Sequence, residues 1–300
     1  VRGASTYAIV AARHDNGIQI VDVSDPSSPV AVATMALSAG PLVVTTFARG
    51  GSTYAILALS SVDSIQLLDV SDPSSPVAVG SATDEVDGVT TLHNPTDIST
   101  FVRGDSTYAI VTAATAGTDA GIQLLDVSDP SSPVAVGSAT DGAGGFAEMN
   151  WATGVSTFVR GASTYAIVAA HNDNGIQIVD VSDPSSPVAV ATMALVSPSD
   201  VSTFVRGNRN YAIVTSTSNP AYCTASWIQP SLPRRARCVD LVMVEVSDPS
   251  HPVVVGSATD GARGFTTLGR ALHVSTFVWG DSTYAIASCA QGGGRFNPRW

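Results

Sequence analysis

Three hundred residues with a net charge of −11, 14 Arg and no Lys make an acidic chain without a basic stripe. That balance argues against nucleic acid and against anionic membrane surfaces as partners. Hydrophobic residues at 44% and charged residues at 13% are too apolar for disorder, and 26 Gly with 17 Pro lean toward a turn-rich β protein. No apolar run approaches the ~20 residues of a spanning helix, so direct membrane insertion is not expected.

The chain opens on Val1, not Met, which reads as a processed or truncated N-terminus. Four short segments then recur in a fixed order. Segment A reads Ile98-Ser99-Thr100-Phe101-Val102 and returns at Val44, Val155, Val201 and Val274. Segment B reads Ser106-Thr107-Tyr108-Ala109-Ile110-Val111, with its Tyr at 7, 54, 165, 211 and 284 as well. Segments C and D form the stretch Gly121–Val136, in which Ile122–Val127 and Val134–Val136 read as strands around Asp129-Pro130-Ser131-Ser132-Pro133. Asp before Pro suits a turn, because Asp bonds the backbone beyond it and Pro pre-sets φ.

The Tyr-to-Tyr spacings are 47, 54, 57, 46 and 73. A period near 50 with four strands is the requirement of a propeller blade, whereas a parallel β-helix would repeat at shorter intervals. Strand C also demands stacked sheets. Ile18 and Ile20 fall on one face and Val21 and Val23 on the other, so both faces need covering. The expected fold is therefore all-β: one β-propeller domain over residues 1–300, built of four-stranded antiparallel blades.

The repeats fall at about 1–40, 41–85, 96–142, 153–195, 199–260 and 272–290. Val1–Leu37 and Val159–Leu195 are nearly identical at an offset of 158, which points to duplication of a three-blade unit. Repeat one has no A segment and repeat six no C or D, giving five complete or near-complete blades, a partial sixth, and a chain that reads as a fragment. An insertion at 217–238 interrupts repeat five, and 291–300 reads as a loose tail.

Alternating strand direction sends the A–B and C–D turns to one face of the disc. Those turns barely change between repeats and read as structural. The B–C turns and D-to-A connectors fall on the other face, and they vary. They carry His14, Asp15, His171 and Asp173 in B–C turns, and Trp151 in a connector. At the entry to strand A the residues are Val43, Asp97, Gly154, Asp200 and His273, expected to ring the mouth of the central channel. The plain alternative is that these are solvated connector residues of an acidic protein. His93, Asp97, Asp200 and His273 are the candidate metal ligands, with Ca²⁺ the ion that carboxylates and carbonyls would suit.

The insertion adds Trp227, Arg234, Arg235 and Arg237, an aromatic and basic loop fit to meet a partner or simply a tolerated exposed loop. Cys223 and Cys238 flank it and could close it by a disulfide worth ~3 kcal/mol, while Cys289 stands apart. Such a pair fits an oxidising compartment, so a secreted or cell-surface setting is expected. No Cys-x-x-Cys, His-Glu-x-x-His, phosphate loop or Gly-x-Ser-x-Gly occurs.

The repeated Gly17–Pro29 stretch, with Leu67-Leu68-Asp69-Val70, Leu124-Leu125-Asp126-Val127 and Ile178-Val179-Asp180-Val181, resembles the LVIVD repeat. Met243-Val244-Glu245-Val246 departs at the Asp. The resemblance covers about 290 residues. It implies secreted or surface-anchored propellers, and it carries no catalytic residues over. Two readings of function follow. One is a non-catalytic extracellular binding or scaffold propeller with a protein or glycan partner on the variable face. The other is a metal-dependent hydrolase or lyase at the channel mouth, drawing on His14, His93, Asp97, His171, Asp200 and His273.

Overall fold

The computed structural model describes residues 5–115, 119–216, 240–259, 268 and 271–289. Every sheet in it is antiparallel and runs through its strands in sequence order. The first comprises β1 (Tyr7–Ala12), β2 (Gly17–Asp22) and β3 (Val30–Ala36). The second comprises β4 (Val43–Arg49), β5 (Ser52–Leu59), β6 (Ser64–Asp69) and β7 (Val77–Thr83). The third comprises β8 (Pro95–Arg103), β9 (Ser106–Ala113), β10 (Gly121–Asp126) and β11 (Val134–Thr140).

The fourth comprises β12 (Ala152–Arg160), β13 (Ser163–Ala170), β14 (Gly175–Asp180) and β15 (Val188–Ala194). The fifth comprises β16 (Pro198–Arg206), β17 (Arg209–Ser216), β18 (Leu241–Glu245) and β19 (Val253–Ala258). The last is the pair β20 (Ala271–Trp279) and β21 (Ser282–Cys289). These are the blades of a β-propeller, with the expected segments A to D as their strands.

Alternation along the strands buries both faces. In β10, Ile122 and Leu124 point one way and Leu125 the other, and all three are fully buried. Leu125 and Val127 join Ile56, Ile65 and Leu67 in the core between the second and third blades. Ile122 and Leu124 join Val155, Val168 and Val179 in the core between the third and fourth. The second, third and fourth blades thus each contribute to two cores. The strand-A elements face the axis side, since β8, β12, β16 and β20 pack in succession against one another. Their hydroxyls link neighbours, Ser99 to Thr157 at 3.0 Å and Ser156 to Thr203 at 2.9 Å.

The repeat consensus follows from polar accounting. Asp126 Oδ1 accepts the Ser128 N–H at 2.8 Å, and Ser128 Oγ accepts the Thr107 N–H at 3.0 Å. Asp129 Oδ1 accepts the Ser131 N–H and hydroxyl within the next turn, and the same turn recurs at Asp25, Asp72, Asp183 and Asp248. A bulge between Leu124 and Leu125 breaks the β10–β11 ladder. The fully buried Gln123 serves it, because Nε2 donates to Gly137 O at 2.8 Å and Oε1 accepts the Thr90 and Thr91 N–H groups of the connector that leads into this blade. In each complete A–B hairpin the Phe of A stacks on the Tyr of B, with ring centroids 5.4 Å or 5.5 Å apart.

Candidate functional site

The B–C turns and D-to-A connectors meet at one end of the blades, bonded to each other. Trp151 N–H donates to Thr115 O at 3.1 Å, and His171 N–H donates to Trp151 O at 3.0 Å. The connector after the third blade is therefore tied to the B–C loops of both blades it joins. Three groups of ionisable side chains lie in this region.

The first is between the second and third blades. Asp63 Oδ1 accepts the Asn94 N–H at 2.7 Å and Asp84 Oδ1 accepts the Leu92 N–H at 3.0 Å. Their second oxygens flank His93 Nδ1, at 3.3 Å and 4.0 Å. His93 thus pairs with the carboxylate of the Asp63 loop and with that of Asp84 in its own connector.

The second group lies between the third and fourth blades. Asp141 accepts the Met149 N–H at 3.2 Å and Asp173 accepts the Asn150 N–H at 2.7 Å. Glu148 sits beside them against Gly175, where any β-carbon would collide with its carboxylate. Glu148 Oε2 is buried with no hydrogen-bond partner among the described residues. Burial, then Asp173 and Asp141, push its pKa up to about 7. Burial and the Asp141 charge raise Asp173 as well.

The third group is at the strand-A entries. Asp97 Oδ1 accepts the N–H of Ile98 and Oδ2 that of Val155 in the next blade, both at 2.8 Å. Asp200 repeats this with Val201 at 2.7 Å and Val274 at 2.8 Å. Each carboxylate staples its own strand A to the following one. Gly154 stands between them because a β-carbon there would lie 2.7 Å from Asp200 Cα. His273 Nδ1 is 3.7 Å from Asp200 Oδ2. Burial, then Asp200, push the Asp97 pKa up to about 8, and the Asp200 carboxylate raises His273.

The structure therefore brings Asp97, Asp200 and His273 into one electrostatic group, as their shared strand-A position suggested. The other candidates stay apart from it. His14 and Asp15 are exposed on a single 3₁₀ turn ending at Asn16. His171 Nδ1 lies 3.2 Å from Pro198 O, and burial lowers its pKa. Among the described residues no three His, Cys, Asp or Glu side chains converge with metal-ligand geometry. Trp227, Arg234, Arg235, Arg237, the Cys223–Cys238 pair, the 217–238 insertion and the 291–300 tail lie outside the described residues. Glu148, Asp63 and Asp141 were not singled out by sequence reasoning. Glu148 could have been, since it takes the place of Thr91 in a connector of the same length and Glu occurs only three times.

Trp151 is half-buried and has φ 58. The aligned connector positions Asn94 and Ser197 share this left-handed backbone, with φ 51 and 42. Asn tolerates it; a bulky aromatic is a steric outlier there.

A family model described as the LVIVD repeat matches residues 5–36, 62–84, 114–141, 162–194 and 237–260. None of the curated proteins matches the chain in sequence. Among solved structures, a candidate 6-phosphogluconolactonase from Bacteroides uniformis is similar over 96% of this chain and 75% of its own, at 11% identity and TM-score 0.62. Hydrazine synthase from Kuenenia stuttgartiensis is similar over 89% of this chain and 66% of its own, at 10% identity and TM-score 0.59. An exo-β-1,3-galactanase from Phanerochaete chrysosporium aligns over 72% of this chain at 11% identity; the chain spans about half (49%) of that protein, and a TM-score of 0.48 carries no argument. These likenesses show the fold alone.

Asp97 and His273 both bind protons more tightly in the folded chain than in the unfolded one. Their stabilising effect is complete below the ordinary values of 3.8 and 6.5 and is lost as pH rises through the raised ones. Thermal melting across pH 5 to 8.5 should show a midpoint that falls with rising pH, and Asp97→Asn with Glu148→Gln should flatten the fall. A profile that is flat or rises would contradict these assignments.

Proposed function

We propose, from the premise that the chain belongs to the LVIVD-repeat proteins, that it is a non-catalytic binding or scaffold propeller working outside the cell or on its surface. Its partner would be a protein or glycan taken up on the variable face. The frame of such a molecule is uniform, and its specificity resides in the connectors. Those connectors have the required fixed shape, because Asp63, Asp84, Asp141 and Asp173 are each committed to a connector N–H.

Trp151 is the observation that carries the reading. An aromatic side chain held in a backbone state that costs about 1–2 kcal/mol outside Gly has a reason to be there, and the aligned Asn94 shows that the fold does not require it. Aromatic side chains on rigid supports are the usual anchors of an interface. His171 and Asp173, whose loop is bonded to Trp151 and Asn150, would supply polar contacts beside it, and His14, Asp15 and the Trp227 and Arg234–Arg237 loop would be further contacts.

Trp151→Gly should be more stable than Trp151→Ala by about 1 kcal/mol in denaturant unfolding, since only the alanine retains the strain. Both variants should lose binding to the glycans or extracellular proteins that the unaltered chain retains on an array. Equal stability of the two, or array binding unchanged by either, would remove Trp151 as the anchor.

The second reading, a metal-dependent hydrolase or lyase at the channel mouth, draws on Asp97, Asp200 and His273 lying together. It would use Ca²⁺ or Zn²⁺ held there. A site that binds only the folded chain at a hundredfold above its Kd adds about 2.7 kcal/mol. Melting with EDTA and then with each ion restored should show no such shift if the chain is a scaffold. A shift lost in Asp200→Asn would favour the enzyme.

A further inference from the structure

One chemically labile sequence occurs twice in this fold. Residues 15–37 and 173–195 are identical, and each stretch opens on Asp-Asn-Gly. Asn16 and Asn174 end their B–C turns in the left-handed region, at φ 49 and 57, a state that Asn tolerates. Packing demands the glycine that follows, since a β-carbon on Gly17 would lie 2.6 Å from Met35 O. An Asn before a Gly is chemically exposed, because no β-carbon shields the next backbone nitrogen from the side-chain carbonyl.

The two copies differ in what holds the carboxamide. After the fourth blade Ser197 takes a left-handed φ of 42, and its N–H donates to Asn174 Oδ1 at 3.1 Å. The Ser197 hydroxyl lies 3.4 Å from the same oxygen, and Asn174 Nδ2 donates to Asn172 O at 3.3 Å. Both ends of the Asn174 carboxamide are therefore oriented. In the first blade the aligned connector residue is Ala39, which has no hydroxyl and does not share the left-handed backbone. Asn16 is exposed, and its carboxamide has no hydrogen-bond partner among the described residues. Only its backbone is engaged, with its N–H directed at Arg13 O and its carbonyl accepting the Leu37 N–H at 2.8 Å.

We propose that Asn16 is a site of spontaneous deamidation, and that Asn174 is its protected copy. The Gly17 nitrogen attacks Asn16 Cγ. A bond forms between them, the Cγ–Nδ2 bond breaks, and Nδ2 leaves as ammonia with the proton of the Gly17 N–H. Water then opens the cyclic imide at either carbonyl, leaving aspartate or isoaspartate at position 16. Either product adds a negative charge beside His14 and Asp15. Isoaspartate also lengthens the main chain by a methylene at the start of β2, and turns the carbonyl that accepts the Leu37 N–H into a free carboxylate. Attack requires the side-chain carbon to turn toward the following nitrogen, and Ser197 and Asn172 hold the Asn174 carboxamide against that turn. The variable face thus alters with age at its first-blade turn and not at its fourth, whatever that face binds.

The test is incubation of the full chain at pH 8.5 and 37 °C, followed by tryptic mapping. Mass spectrometry follows a one-dalton gain in peptides 14–49 and 161–206, with fragmentation assigning the residue. Incubation in guanidinium chloride is the control, since the identical local sequences should then react at equal rates. In the folded chain Asn16 should convert at least tenfold faster than Asn174. The combined substitution Val196→Ser, Ser197→Ala and Pro198→Gly copies the first connector into the fourth blade, and should bring Asn174 close to the Asn16 rate. If that variant does not fold, the comparison within the unaltered chain decides. Equal rates in the folded chain, a faster Asn174, or an Asn16 that stays intact while the unfolded chain converts would overturn the proposal. So would a folded variant that leaves the Asn174 rate unchanged.

Discussion

The second, third and fourth blades of this molecule are sheets buried on both faces. Leu125 and Leu124, neighbours in β10, are both fully buried and belong to different cores. At roughly 1.5–3 kcal/mol for each large side chain buried, leaving either face of these blades in water would be costly, so each of them is stabilised by lying between two others. Stacking dictates the rest. It places the strand-A elements in succession on the axis side, narrows their spacing until Gly154 is needed beside Asp200, and gathers the turns at the two ends. At the uniform end the turns repeat one Asp-Ser device. At the other they are free to differ.

Freedom at that end is limited by the backbone. A connector that leaves one sheet and enters the next exposes N–H groups no ladder can satisfy, and buried ones must find partners. The acidic residues supply them. Asp63, Asp84, Asp141 and Asp173 hold connectors to loops, and Asp97 and Asp200 hold one blade's entry to the next. Much of the charge that makes the face look like a catalytic mouth is thus engaged in holding its shape. Crowding these carboxylates out of water raises Asp97 and Glu148, a consequence of the architecture that any binding role on this face inherits.

The fold was legible because its signals are local and repeated. Asp129-Pro130 announces a turn, the Ile–Gln–Leu–Leu alternation of residues 122–125 announces a strand buried on both sides, and a period near 50 announces the blade. The site was legible only as position. Asp97, Asp200 and His273 could be aligned at the entry to strand A, and they do lie together. What Asp97 does there could not be read, because the Val155 N–H it accepts lies 58 residues away. His93 looked like a channel residue, yet its partner Asp63 comes from a loop 30 positions earlier. The strain at Trp151 was equally hidden, since a left-handed position is announced by Asn or Gly and not by an aromatic residue.

The most direct test of a preformed binding face is residue-resolved hydrogen exchange at Leu92, Asn94, Met149 and Asn150, whose N–H groups donate to Asp84, Asp63, Asp141 and Asp173. If the connectors are held as described, these loop amides exchange as slowly as those within β9 and β13, and Asp173→Ala frees Asn150 without disturbing Leu92 and Asn94. Exchange at the rate of open loops in the unaltered chain would mean that the face has no fixed shape, and the account of its carboxylates would fail.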